Sequence, residues 1–159
     1  MKKICLVLTL YIVHCSLFIV QAQNSEIDSL ENLLQIHTRE DTIRVNLLNE
    51  IASKYSIPNY KKKKYYAEKA YDLSQKLSYS KGMMYSLNYL GDYEYRINSY
   101  KKAIEYYENA LSIATELNNI KQMSYAMHCI GFMYQNLGNY EKSLTNLIES
   151  IKLSEEIGD

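Results

Sequence analysis

SYKKAIEYYENALSIATELNN (Ser99–Asn119) and NYEKSLTNLIESIKLSEEIGD (Asn139–Asp159) are one pattern written twice, forty residues apart. Each opens on a small polar residue followed by Tyr and closes in a polar turn. Between those ends, apolar residues fall three and four apart: Ile104, Tyr107, Leu111 and Ala114 share one side of a helix. No segment alternates with period two between turn residues, so the chain is expected to be all-α.

The period extends outward from these stretches. At an offset of forty, Lys81 matches Lys121, Met83 matches Met123, Tyr85 matches Tyr125 and Gly91 matches Gly131. Tyr100 matches Tyr140, Lys102 matches Lys142 and Glu116 matches Glu156. A worn third copy lies upstream, with Tyr60, Ala70, Leu73 and Leu77 in register. It departs at Ile51, where the others have Gly, and at Lys63, where they have Ala or Ser. A terminal repeat caps the stack and is expected to be atypical. Polar turns at 78–80, 98–99, 118–119 and 138–139 divide each unit into two helices. Asp41 and Thr42 supply capping oxygens, and Pro58 closes the first long helix. With a leading helix Glu26–Ile36 capped by Ser25, this predicts about seven helices. They form a leader over 23–40 and antiparallel pairs at about 41–80, 81–120 and 121–159.

Gly91 and Gly131 sit mid-helix, where Gly costs roughly 1 kcal/mol against Ala. Close approach of the partner helix is the expected compensation. Ala103, Ser143, Ala110 and Ser150 are the matching small residues on the second helix. Tyr100 and Tyr140 are expected to wedge at the turns with their hydroxyls wet.

Leu90-Gly91, Tyr100, Ala103, Tyr107 and Ala110, then Ile130-Gly131, Tyr134, Gly138, Tyr140, Ser143, Leu147 and Ser150, resemble the tetratricopeptide repeat. The unit is longer than the usual ~34 residues and is similar to the long form of bacterial exported or regulatory proteins. Glu94 departs from the Tyr that Tyr134 supplies. A HEAT or armadillo array is the alternative at this period, but the small residues follow tetratricopeptide spacing. The resemblance covers about residues 41 to 159 and implies a right-handed α-solenoid whose first helices line a concave groove. Carried over, the groove positions are Tyr85, Asn88, Asp92, Tyr95 and Arg96, then Tyr125, His128, Phe132, Gln135 and Asn136. A mixed aromatic and polar surface of this kind suits a peptide or a partner helix. The family's clamp for C-terminal carboxylates, a Lys followed by Asn on these faces, is not matched.

The first residues have the design of a secretory signal peptide. Lys2 and Lys3 precede an almost wholly apolar run, Ile4–Val20, and Val20-Gln21-Ala22 offers a cleavage site. The alternative is an uncleaved signal anchor. Cleavage after Ala22 leaves Gln23–Asp159, with a net charge of about −2, too weak a field to draw in nucleic acid or a membrane surface. A membrane is then reached only through an uncleaved signal or a missing downstream segment. Cys5 and Cys15 leave with the signal. Cys129 alone remains, on an apolar helix face, and is expected to be a buried inert thiol; a redox or intermolecular role is the minority reading.

No nucleophile elbow, phosphate loop, HExxH or metal-ligand spacing occurs, so no catalytic residue, metal or cofactor is assigned. Glu149, Glu155 and Glu156 read as a solvated face, and so does the lysine run Lys61–Lys64. The expected function is a non-enzymatic protein- or peptide-binding module, exported to the periplasm or another extracytoplasmic space. The alternative is the extracytoplasmic sensory region of a larger sensor kinase or regulator, and a structural spacer is the third reading. The last helix carries Leu144, Leu147, Ile148, Ile151 and Leu153, more apolar surface than one partner helix covers. Further repeats, a cap or a span after Asp159 are therefore expected; failing those, self-association through this helix is.

Overall fold

The computed structural model describes residues 25–56 and 58–158. Residues 1–22, where a signal peptide was expected, lie outside them. Two compact units divide the chain, one up to Thr38 and one from Arg39. In the first, residues 25–36 form α1, with Ser25 already inside the helix rather than capping it from outside. α1 buries Ile27 and Leu30.

The second unit is α2 (Thr42–Lys54), α3 (Tyr60–Lys76), α4 (Ser80–Arg96), α5 (Tyr100–Glu116), α6 (Ile120–Asn136) and α7 (Tyr140–Glu156). Consecutive helices pack in antiparallel pairs, giving an all-α solenoid with no strand among the described residues. From α3 onward each helix has 17 residues and starts twenty after the last. The structural period is thus half the sequence period.

One turn is used each time. An apolar residue ends the helix (Leu77, Ile97, Leu117, Leu137, Ile157), and the next adopts a left-handed conformation: Ser78, Asn98, Asn118, Gly138, Gly158. Asn and Gly tolerate that region. The following N–H returns to the carbonyl five residues back, as in Ser99 to Glu94 and Asn139 to Tyr134, both 2.9 Å. This 6→1 bond satisfies carbonyls that the helix end leaves open. Asp41, Asn119 and Asn139 cap the helices that follow them, accepting from the N–H three residues on.

The small residues act as expected. A Cβ on Gly91 would lie 2.8 Å from the Tyr107 ring, and one on Gly131 2.8 Å from Leu147 Cγ. The worn first repeat solves the same contact in reverse. Ile51 stands at the Gly position and Ala67 at the Tyr107 position, both fully buried, so the bulk has moved to the other helix. Gly82 is tighter still, with Val45 and Ser74 side-chain atoms 2.5 Å from a built Cβ. Its counterpart one repeat on is Gln122, so the repeat pattern gave no reason to single it out.

Glu94, at the position that Tyr134 holds, is buried and pairs with Lys102 at 2.9 Å. One repeat later Lys142 lies over the Tyr134 ring, 5.1 Å from its centroid. A lysine from the second helix meets an anion in one copy and a π-face in the other. The Glu94 hydrogen bond and charge hold the Lys102 ammonium above its ordinary pKa. Tyr100 is half-buried and donates to Asn98 Oδ1, whereas Tyr140 is exposed and does not wedge between helices among the described residues.

Candidate partner-binding site

Asp92 of α4 is the electrostatic centre of the groove side. Its Oδ1 accepts the hydroxyls of Tyr107 (α5) at 2.8 Å and Tyr125 (α6) at 3.0 Å. Its Oδ2 accepts from Lys63 Nζ (α3) at 3.0 Å. One carboxylate therefore ties four consecutive helices together. Charge-assisted bonds of this kind are the strong ones.

Lys63 occupies the position where the later repeats have Ala103 and Ser143. The lysine run is thus not the uniformly solvated face its composition suggests. Lys62 lies over the Tyr55 ring, Lys63 is largely buried on Asp92, and Lys64 lies over Tyr93 at 4.9 Å. Lys61 and Lys62 are the exposed residues of the run, and Lys63 and Lys64 are half-buried.

Above Asp92 opens a cavity of about 270 Å³. Tyr107, Cys129 and Met133 form its floor; Tyr60, Tyr95 and Phe132 are aromatic walls; Ser56, Arg96 and His128 stand around it with Lys63 and Asp92. Tyr95 and Phe132 meet edge to face at 5.7 Å, and the Arg96 guanidinium stacks over Tyr95 at 5.5 Å. Five of the ten groove positions carried over from the family converge here: Asp92, Tyr95, Arg96, His128 and Phe132. Tyr85, Asn88 and Tyr125 line a neighbouring cavity of about 210 Å³ with Tyr89 and Gln122. Gln135 and Asn136 are exposed and line neither; Asn136 is turned back on the Phe132 carbonyl at 2.8 Å.

Asn88 is almost fully buried, so it is floor and not surface. Its Nδ2 donates to Gln122 Oε1 at 3.0 Å, and its Oδ1 has no donor among the described residues. Buried acceptors are nearly always paired, and this one is an exception lying beneath the surface.

Burial first, and then the nearby Asp92 charge, push the Cys129 thiol up to about 12; hydrogen bonds with Tyr125 and Tyr107 oppose this. A thiol so far from its thiolate is a poor nucleophile, in keeping with the inert reading. Burial and Asp92 likewise raise the Tyr107 and Tyr125 hydroxyls and push Tyr89 up to about 12.

Sequence reasoning missed Ser56, Tyr60, Lys63, Tyr107, Cys129 and Met133 as lining residues. The signal for Lys63 was present: it breaks the small-residue position, and a long cation there must reach a partner. Ser56 lies in a turn and Tyr60 and Tyr107 on second helices, which a rule restricted to first helices omits, whereas Cys129 and Met133 lie on the first helix α6 outside the carried-over positions.

A family profile of the tetratricopeptide repeat matches residues 83–121 and 124–157. No curated protein matches the chain. Among solved structures, aspartyl phosphate phosphatase F of Bacillus subtilis superposes with a TM-score of 0.76 at 19% identity, over 88% of this chain and 38% of that one. A STAND signal-transduction ATPase with a tetratricopeptide repeat sensor, from Pyrococcus horikoshii, gives 0.71 at 19%, over 88% and 22%. BtubC from P. vanneervenii gives 0.63 at 17%, over 87% and 57%. The chain spans well under two thirds of each.

Proposed function

As the chain belongs to the tetratricopeptide repeat family, we propose that it is an interaction module that holds a peptide segment of another protein against α4 and α6. One arrangement carries this reading: a solvent-open cavity with aromatic walls from three helices.

The groove works by binding and not by bond-making. Asp92 already serves three donors, and Cys129 is held as a thiol.

Capture with the wild type and a Tyr95→Ala/Phe132→Ala double variant tests the reading. A defined protein should be recovered by the first and lost from the second. Equal recovery by both would remove the groove from the interaction.

In this reading residues 1–22 take the chain across the inner membrane, as their charge and apolar pattern support. Intact mass should then place the mature start at Gln23; a chain that keeps Met1 in the cytosolic fraction would count against export. A second reading is an extracytoplasmic sensory region of a larger signalling protein. It is favoured by the likeness to an ATPase whose repeats are named a sensor and of which this chain spans 22%.

A further inference from the structure

We infer that the cavity beside Asp92 selects a partner residue pair: an aromatic side chain with a carboxylate next to it. This rests on the reading that the groove binds a peptide, and it specifies which one.

Size comes first. At about 270 Å³ the cavity is below the roughly 300–1,000 Å³ of small-molecule sites. It has room for one large side chain. The walls decide the kind of side chain. Tyr60, Tyr95 and Phe132 line it with aromatic rings, and the sulfur-bearing Cys129 and Met133 line it too. Edge-to-face and sulfur–ring contacts favour an aromatic over an aliphatic of equal size.

Charge decides the neighbour. Aromatic walls above a carboxylate resemble a cage for a cation. Here that carboxylate is already occupied, because Lys63 Nζ is 3.0 Å from Asp92 Oδ2 and two tyrosine hydroxyls take Oδ1. The uncompensated charge is Arg96. It is exposed, has no carboxylate partner among the described residues, and is held over Tyr95 by stacking. A guanidinium fixed at the mouth repels a cationic guest and offers a planar pair of donors to a carboxylate beside the buried ring.

The test is a selection of phage-displayed peptides on the immobilised full chain, with counter-selection on the Tyr95→Ala/Phe132→Ala variant. Enriched sequences should share an aromatic residue with Asp or Glu within two positions. The synthetic peptide Ac-Gly-Phe-Glu-Gly-amide is then titrated against the forms in which Glu is replaced by Gln or Lys and Phe by Leu. At an exposed rim, the Glu form should bind about three- to fivefold tighter than the Gln form. The Phe form should exceed the Leu form by about two- to tenfold. Arg96→Glu, at an exposed position that should not disturb folding, should turn the preference towards Lys. Groove-dependent enrichment of basic or aliphatic peptides, or a preference unmoved by Arg96→Glu, would overturn the inference while leaving a peptide-binding groove. No groove-dependent enrichment at all would overturn both.

Discussion

Lys63 Nζ stands 3.0 Å from Asp92 Oδ2, with the two side chains only 15% and 24% exposed, and so joins the second helix of one repeat to the first helix of the next. Neither residue is at a position where the other repeats keep a charge: Ala103 and Ser143 replace the lysine, and Phe132 replaces the aspartate. The contact belongs to this one junction.

Asp92→Ala should destabilise the second unit by about 2–4 kcal/mol. It strands a largely buried ammonium and two tyrosine hydroxyls, and breaking such pairs from one side is costly. Lys63→Met should cost less, since Asp92 keeps its tyrosine donors. In the double variant the two effects should fall short of additivity by about 0.5–3 kcal/mol. Urea midpoints of the four proteins measure this, and strict additivity would show that the pair is not coupled.

Gly91→Ala should be more damaging than Gly131→Ala. At Gly91 the new Cβ meets the Tyr107 ring at 2.8 Å, and that ring is buried and tied to Asp92. At Gly131 the two nearest atoms belong to Leu147, which is half-buried and can turn, and the Ser143 carbonyl oxygen follows at 3.1 Å, a tight contact that needs only a few tenths of an ångström of give. The helix gains roughly 1 kcal/mol from Gly→Ala at either place. A net loss of about 1–2 kcal/mol is therefore expected at Gly91 and little change at Gly131, whereas Gly131→Leu should cost about 1–3 kcal/mol by overpacking. Denaturation midpoints that rank Gly131→Ala as the worse of the two alanine variants would contradict the contact described here.

Stability should fall in alkali. Cys129 and Tyr89 move from 9.0 and 10.0 to about 12 on folding, and Tyr107 and Tyr125 also rise. Between pH 9 and 12 the unfolded chain sheds protons that the folded chain keeps. Unfolding is thus favoured as pH rises through that window, and these groups have no effect below it. Urea midpoints should fall from pH 8 to 10 to 11, and in the two more alkaline samples tyrosinate absorbance should rise as the chain unfolds. A flat profile up to pH 11 would show that these hydroxyls and the thiol are not protected.

The chain should associate through α7. Leu144 is 61% exposed, while its counterpart Ile104 is 6% exposed in a cluster with Ile130 and Met133 of α6. Ile148 and Ile151 extend the same open surface. Leu144→Lys/Ile151→Lys should suppress any concentration-dependent growth in scattering mass without lowering the thermal midpoint. Equal growth in wild type and variant would place the contact elsewhere.

Helices, turns and repeat boundaries were legible in the sequence because their causes are local. A helix face needs apolar residues three and four apart, and the turn favours Asn or Gly where the backbone turns left-handed, with Ser78 the exception; both signals recur every twenty or forty residues. The Gly91 and Gly131 contacts were legible for the same reason, as a helix tolerates Gly only for a gain elsewhere. Half of the groove positions follow from the family's first-helix rule. The tertiary structure alone decided what surrounds them. Lys63, Tyr107 and Tyr125 come 29, 15 and 33 residues away from Asp92 along the chain, and nothing in local periodicity says that one carboxylate will serve all three. Long-range pairing depends on how far each helix is rotated about its axis. That rotation is set by the summed packing of Gly82, Gly91, Ile51 and their neighbours, and it decided which side chains fill the core, which balance Asp92, and that Arg96 is left facing solvent.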